Sequence, residues 1–259
     1  IIIFIPLVGW FLKGSADDAF SHAESAYKSQ DYERASKDFA NFAKNFAGDE
    51  RASQSRVFSA LARVRQDAEK AADPSVALKT CQDILPTITS EAALGNLRSD
   101  VTDTLLRIAE KFVMKTENTP SISDRKELIE KMNQQMELIR DPRYVGTQER
   151  TQNELRIKTI EESQNRLVRD IQRGEDLTAT IAEMTKSVEA KNVSETYNLR
   201  RKLLRKYPQL ESDSKLGELL NQATGYQKEL VTAATQLPTV SNELEPSNVM
   251  MRALLVGRK

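Results

Sequence analysis

The chain has 259 residues, of which 29% are charged and 6% aromatic, with nine glycines and eight prolines. This composition disfavours a chain dominated by β-sheet and predicts an all-α fold, in one large domain or two smaller ones. Lys plus Arg and Asp plus Glu total 38 each, so no overall electrostatic field directs the chain toward nucleic acid.

The chain opens with an apolar segment. Residues 1–12 are uncharged, and Lys13 follows them. About 20 apolar residues cross a bilayer, so we expect residues 1–13 to be the end of a truncated transmembrane helix, with Trp10 as an interfacial anchor. A signal-peptide core and a buried helix are the alternatives. Asp17 and Asp18, with few basic residues nearby, favour an extracytoplasmic (periplasmic) location for the soluble part of this membrane-anchored chain.

Residues 14–72 contain the clearest helical pattern, a predicted antiparallel hairpin plus a following helix. Small residues occupy one face of the first helix, and a small residue followed by aromatic residues occupies the facing stripe of the second. These residues are Ala19, Ala23 and Ala26, then Ala35, Phe39, Phe42 and Phe46. Small side chains let two helix backbones approach closely, while the Phe rings fill the seam. The polar segment 28–31 predicts the turn.

This segment resembles the tetratricopeptide repeat. That family has a small residue in its first helix, Gly-Asp-Tyr at the turn, then Ala, an aromatic residue and Pro in its second helix. The matching positions here are Ala23, Gln30, Asp31, Tyr32, Ala35, Phe39 and Ala47. Gln30 replaces the turn glycine and Ala47 replaces the closing proline. The form is similar to repeats of bacterial envelope proteins, including cell-division coordinators and outer-membrane assembly lipoproteins, and it implies binding of a protein or peptide partner.

A second tetratricopeptide-like unit is predicted near residues 176–234. The step from Thr196 to Pro208 is twelve residues, as is the step from Ala35 to Ala47. Leu203 and Tyr207 then stand where the first copy has Phe42 and Phe46. The alternative is an ordinary amphipathic helix stopped by a proline. No 34-residue period connects the two copies, so residues 73–236 are expected to form irregular helical hairpins, as an α-solenoid or a bundle, rather than a regular array.

Two further features organise the second half of the sequence. A long polar helix is predicted from about Gln148 to Arg173, with Gly174 as its end. Residues 237–259 contain Pro238, Pro246 and the apolar run VMMRALLV, and are expected to be a linker and the start of a following domain. This order of segments resembles large bacterial membrane proteins in which a β-propeller of the pyrroloquinoline-quinone-like type follows such helices.

Residues that could support chemistry are few. His22 is the only histidine, and Cys81 lies on an apolar stripe that favours an inert buried thiol. Sequence motifs for nucleotides, metals or catalytic triads are absent, so no catalytic residue, cofactor site or metal site is predicted. The basic cluster at residues 200–206 is interpreted as the solvent-facing end of a helix rather than as a phosphate or lipid site.

These observations predict a membrane-tethered, non-catalytic scaffold that binds a protein or peptide partner through its helical hairpins. The candidate partner-binding face comprises His22, Tyr27, Asn41 and Lys44. Neither nucleic acid nor a small-molecule substrate is expected. The alternative is a passive helical spacer that presents a downstream domain, and an enzyme would require a pocket of polar groups near His22 or Cys81.

Overall fold

The structure is a computed structural model that describes residues 4–236, and its described residues form an all-α fold without strands. The prediction of an all-α chain is therefore confirmed at this level. Ten α-helices follow one another along these residues. They are α1 (Phe4–Lys28), α2 (Tyr32–Asn45), α3 (Ala52–Lys70), α4 (Pro74–Ile84), α5 (Arg98–Glu117), α6 (Ile122–Arg140), α7 (Thr147–Gln152), α8 (Glu154–Glu189), α9 (Val193–Lys206) and α10 (Ser214–Gln236). Short 3₁₀ helices occur at Leu85–Ile88, Ala92–Leu97 and Pro208–Leu210.

The chain divides into two compact units between Gln172 and Arg173. This boundary falls inside α8, which is continuous through Gly174. The prediction that Gly174 ends this helix is therefore wrong. Glycine destabilises a helix interior by only about 1 kcal/mol relative to alanine, and it terminates a helix when its φ is positive. None of the glycines in the described part of the chain has a positive φ.

The N-terminal helix runs from Phe4 to Lys28 without a break at residue 13. Among residues 4–236, no helix combines the length and the apolarity that a membrane crossing requires. The predicted transmembrane segment was placed on residues 1–13, of which residues 1–3 lie outside the described residues. The predicted linker and following domain at 237–259 lie outside them as well.

The turn between α1 and α2 lies at residues 29–31, within the predicted segment. Gln30 has a φ of 64°, and the backbone N–H of Asp31 donates to the carbonyl of Ala26 at 2.9 Å. The Asp31 side chain then caps α2 by accepting from the N–H of Arg34 at 3.3 Å. Gln30 thus adopts the left-handed conformation for which glycine is the usual residue.

Helices α2 and α3 pack as an antiparallel pair. The hydroxyl of Ser59 donates to the carbonyl of Ser36 at 2.9 Å, and the hydroxyl of Ser36 reaches the carbonyl of Ser59 at 3.1 Å. Lys70, further along α3, forms an ion pair with Glu33, which lies earlier on α2. The pairing of later residues on one helix with earlier residues on the other establishes the antiparallel direction.

An aromatic cluster fills the seam of α1, α2 and α3. Ala23, Ala35 and Phe39 are fully buried, as the small-residue and aromatic stripes predict. The rings of Phe39 and Phe58 stack with centroids 5.1 Å apart, and Phe20 meets Phe39 edge-on at 5.7 Å. A larger core joins the remaining helices of the first unit. Its fully buried large residues include Leu61, Leu85, Leu105, Leu106, Ile108, Phe112, Met132, Met136, Ile139 and Tyr144.

The second unit contains the end of α8 with α9 and α10. Its core is aliphatic and consists of Met184, Val188, Leu203, Leu216, Leu219 and Ala223. Lys191 has a φ of 55°, and the N–H of Asn192 donates to the carbonyl of Ser187 at 2.9 Å. The Asn192 side chain caps α9 by accepting from the N–H of Glu195 at 3.2 Å.

This turn repeats the α1–α2 turn 161 residues later, bond for bond. Lys191 corresponds to Gln30, and Asn192 corresponds to Asp31. Helices α2 and α9 both contain 14 residues. The step from Thr196 to Tyr207 therefore matches the step from Ala35 to Phe46 in three dimensions as well as in sequence.

The turn that follows each of these helices also recurs. The N–H of Asp49 donates to the carbonyl of Phe46, and the N–H of Leu210 donates to the carbonyl of Tyr207. Ala52 and Asp213 make the next equivalent pair of bonds, to residues 49 and 210 respectively. The helix–turn–helix–turn–helix path of α1–α2–α3 is thus repeated by α8–α9–α10.

Candidate functional site

The four residues predicted to form a partner-binding face lie in three different environments. His22 and Asn41 line one polar groove, of about 290 Å³, between α1 and α2. Lys44 lines a different groove, and Tyr27 belongs to the aromatic cluster. The structure therefore brings together only His22 and Asn41.

Tyr27 makes the contacts of a packing residue. Its ring lies 5.0 Å from that of Phe58 and 5.5 Å from that of Tyr32, measured between centroids. The guanidinium of Arg65 stands 5.1 Å from the Tyr27 ring centroid. Burial raises the pKa of the Tyr27 hydroxyl, and this effect outweighs the opposite influence of Arg65. Its contribution is to the seam of the hairpin rather than to an open surface.

The groove that contains Lys44 has a volume of about 780 Å³ and lies across α2, α3 and the segment from the end of α4 through the following 3₁₀ helix. We call it the basic groove, because four of its lining residues are cationic and one is acidic. Its lining consists of Ser36, Lys37, Ala40, Ala43, Lys44, Arg56, Ser59, Ala60, Arg63, Ile84, Thr87, Ile88 and Glu91.

Helical periodicity places the four cations. Lys37 and Lys44 are seven residues apart on α2, and Arg56 and Arg63 are seven residues apart on α3. A spacing of seven returns to the same face of a helix after two turns, so each helix contributes two cations to one side of the groove. The small residues between them form the floor, at the level where the Ser36 and Ser59 hydroxyls join the two helices.

Two of these cations are paired within the fold and two are not. Lys37 contacts Glu33 at 3.0 Å, and Arg56 contacts Glu91 at 2.6 Å. The hydrogen bond from Arg56 holds the pKa of the Glu91 carboxyl below its usual value. Lys44 and Arg63 are exposed and have no ion pair with any carboxylate of the described residues. The fold therefore leaves two positive charges of the basic groove available to a ligand.

A second groove, the apolar groove, lies between α5 and the start of α8. Its volume is about 510 Å³, and it is flanked by Met114, which is 61% exposed, and Leu155, which is 79% exposed. Arg156 closes one side, where its guanidinium is held by Glu110 at 2.6 Å and by Asp103 at 2.9 Å. The charges of Arg156, Glu110 and Asp103 are thus paired with one another, so this groove offers a ligand apolar contact but no unpaired charge.

Cys81 and His22, the residues with potential chemistry, lie in separate environments of the described chain. The Cys81 thiol is fully buried, and burial, aided by the charge of Asp67, raises its pKa to about 12. A thiol of this kind stays protonated and is a poor nucleophile. His22 is exposed, beside Arg34, Asp38 and Asn41. No group of three or more His, Cys, Asp or Glu side chains suited to a metal ion occurs among the residues the structure describes.

The basic cluster at residues 200–206 is largely engaged with its own unit. Lys206 forms an ion pair with Asp176 at 2.5 Å, and a guanidinium nitrogen of Arg200 reaches the carbonyl of Glu211 at 3.5 Å. Arg201 donates to the side chain of Asn198. These contacts agree with the interpretation of the cluster as a helix end rather than as an anion site.

Sequence reasoning named Lys44 but missed Arg63, its counterpart across the basic groove. The signal in the sequence was the shared spacing of seven residues on two adjacent helices. The groove also needs a third wall, which α4 and the following 3₁₀ helix supply. The periodicity of α2 and α3 gives no information about that wall.

Comparison of the chain with protein-family models, with curated proteins and with solved structures found no match. The functional argument therefore depends on the grooves and the internal repetition alone.

Proposed function

We propose that this chain is a non-catalytic helical scaffold that binds a segment of a partner protein in the basic groove. The observation that supports the proposal is the pair of exposed, unpaired cations, Lys44 and Arg63, on the two sides of a floor of small residues. Neither cation is used in an ion pair of the hairpin, so both are placed to contact a ligand.

The shape of the groove favours a polypeptide segment. It is an open channel between helices, and its floor contains Ala40, Ala60 and the paired Ser36 and Ser59. Small side chains let the backbone of a bound segment approach the scaffold closely. Helical hairpins of the tetratricopeptide type bind peptides in this manner, and the repeated turns at Gln30 and Lys191 support that relationship.

The proposal also includes a membrane tether, inferred from residues 1–13, and an extracytoplasmic location, inferred from Asp17 and Asp18. They would place the scaffold beside a bilayer, with the partner segment bound at its surface. The proposal for the basic groove is independent of them.

Site-specific photo-crosslinking in the source organism tests the scaffold function. A photoreactive amino acid at Ala40, on the exposed floor of the groove, is expected to capture a discrete partner protein. The same amino acid at Lys79, which is exposed on α4 and does not line the groove, is the control.

A partner captured at position 40 and lost when Lys44 and Arg63 are changed to Gln supports the proposal. Identical capture at positions 40 and 79, or no capture at either, contradicts it, and the second result agrees with a passive spacer. Capture that depends instead on Met114 and Leu155 would move the site to the apolar groove.

A further inference from the structure

We propose, building on the scaffold function above, that the ligand segment of the basic groove is acidic, with Asp or Glu carboxylates paired to Lys44 and Arg63. The groove has one unpaired positive charge on each of two helices, and Glu91, the carboxylate among its described lining residues, is already bound to Arg56. A segment with negative side chains satisfies both free cations without displacing an existing ion pair.

The antiparallel packing places the two free cations at opposite ends of the groove. Ser36 faces Ser59, so Arg63 lies level with a position about four residues before Ser36 on α2. Lys44 is then about 12 residues away along the helix axis, or roughly 18 Å at 1.5 Å per residue. The ligand therefore needs carboxylates near both ends of its bound stretch, rather than one concentrated charge.

Apolar contact is expected between these carboxylates. Ala40, Ala43 and Ala60 lie on the floor, and Ile84 and Ile88 form the third wall. Alanine and isoleucine side chains offer no hydrogen bonds, and the Ser36 and Ser59 hydroxyls on the same floor already bond to the facing helix, so the middle of the bound segment is best occupied by apolar side chains. The inferred ligand class is an amphipathic acidic peptide segment with carboxylates on both sides of an apolar centre.

The same observations argue against nucleic acid as the ligand. Nucleic-acid grooves combine a continuous track of cations with aromatic residues on which bases stack. Here Lys37 and Arg56 are neutralised by Glu33 and Glu91, and no aromatic residue lines the groove within the described residues. Glu91 would also repel a phosphate backbone.

Fluorescence anisotropy with the whole chain tests this inference. The probe is a fluorescein-labelled peptide of about 12 residues in which Glu residues lie on both sides of a Leu-Ala centre, at low ionic strength where charge pairs are least screened. A matched peptide has Gln in place of each Glu. We expect the Glu peptide to bind at least tenfold more tightly than the Gln peptide.

The protein variants isolate the groove. Lys44→Gln with Arg63→Gln is expected to weaken Glu-peptide binding about tenfold, as two partly exposed charge pairs are lost. The matched control is Lys79→Gln with Arg169→Gln, which removes the same charge from exposed helix positions outside the groove. Binding by the control is expected to stay within twofold of the unchanged chain, and circular dichroism checks that both variants fold.

Three results would overturn the inference. The Gln peptide could bind as well as the Glu peptide, the control variant could lose as much affinity as the groove variant, or duplex DNA of similar length could bind more tightly than the Glu peptide. If the Glu peptide does not bind at all, the acidic class is wrong, whereas capture of a partner from position 40 still decides the scaffold function separately.

Discussion

The helical paths α1–α2–α3 and α8–α9–α10 have the same backbone hydrogen bonds at their turns, but different side chains form their cores. Each has a left-handed residue at the first turn, a side-chain cap on the second helix, and the same pair of bonds at the next turn. The first path is filled by aromatic rings, whereas the second is filled by aliphatic side chains. The same turn geometry is therefore compatible with an aromatic core and with an aliphatic core.

Comparison of the two cores shows which residues specify the turns and which only fill the core. Ala23 in the first path corresponds to Met184 in the second, and both are fully buried. Ala35 corresponds to Thr196, also fully buried. Residue size and polarity change at these positions while the backbone bonds do not. The left-handed residue and the cap are the features that both copies keep, so they are the main local determinants of the repeated path.

The two units are expected to differ most in the stability that each loses when a large core side chain is replaced by alanine. Phe39→Ala removes a fully buried ring that contacts three other aromatic rings, and we expect a loss of about 3–5 kcal/mol in the stability of the first unit. Leu203→Ala in the second unit should cost about 2–3 kcal/mol, because it removes fewer contacts from a smaller core. Hydrogen exchange of the α2 and α9 amides, followed by mass spectrometry, measures the two losses separately.

Arg200 provides the matched control, because it occupies in α9 the position that Phe39 occupies in α2. Arg200→Ala should cost less than about 1 kcal/mol, since its side chain is only half-buried. Equal losses for Phe39→Ala and Arg200→Ala would contradict the view that the two cores are built differently.

A buried hydroxyl pair in the second unit is expected to produce the next largest effect. Ser187 donates to the carbonyl of Asn192 at 2.8 Å, and Thr196 lies 3.1 Å from both. Thr196→Val should cost about 1.5 kcal/mol, since it removes a buried hydrogen-bonding group. Adding Ser187→Ala gives the apolar pair that the first unit already has as Ala26 and Ala35. The double variant should lose less than the sum of the single variants.

A double-mutant cycle by urea unfolding measures this coupling. Strict additivity would show that Ser187 and Thr196 do not act as a pair. The matched test in the first unit is Ala35→Thr, which inserts a hydroxyl opposite Ala26 with no side-chain partner and should destabilise.

The sequence was sufficient to predict the all-α fold, the turn before Tyr32 and the correspondence between Ala35 and Thr196. Each of these follows from local information, namely helical period, turn residues and equal spacing. The boundary inside α8 could not be predicted in this way, because Gly174 is a weak helix breaker and the division depends on which residues pack together. Only tertiary contacts decide that question.

The candidate site was only partly predictable, because it too depends on tertiary contacts. Lys44 was recognisable as an exposed residue on the patterned helix, whereas Tyr27 is half-buried beneath Arg65. Helical period alone does not separate a groove-lining face from a seam, since both lie beside the apolar stripe. Which cations of the basic groove are paired depends on Glu33, which holds Lys37, and on Glu91, which holds Arg56 and comes from a third structural element.

Removal of each helix cap should have equal effects in the two paths. Asp31→Ala and Asn192→Ala each remove the side-chain oxygen that accepts a backbone N–H at the start of a helix, and each should cost about 1 kcal/mol. Thermal unfolding gives the loss, and Asp213→Ala, whose carboxylate accepts from the N–H groups of Lys215 and Leu216, is a third cap for comparison. A clear loss at only one of positions 31 and 192 would mean that the turns resemble each other in shape but not in energetics.

The smallest effect is expected where the two turns are most alike. Gln30 and Lys191 adopt positive φ values of 64° and 55°, which cost a non-glycine residue about 1–2 kcal/mol. Gln30→Gly and Lys191→Gly relieve this strain, but each also increases the entropy lost on folding by about 0.5–1 kcal/mol. The net result should be a stabilisation of about 0.5 kcal/mol in each unit. Val at either position should destabilise instead, because a β-branched side chain is strongly disfavoured at positive φ. If Gly stabilises neither turn in urea unfolding while Val is tolerated at both, backbone strain at these residues is not what the two paths have in common.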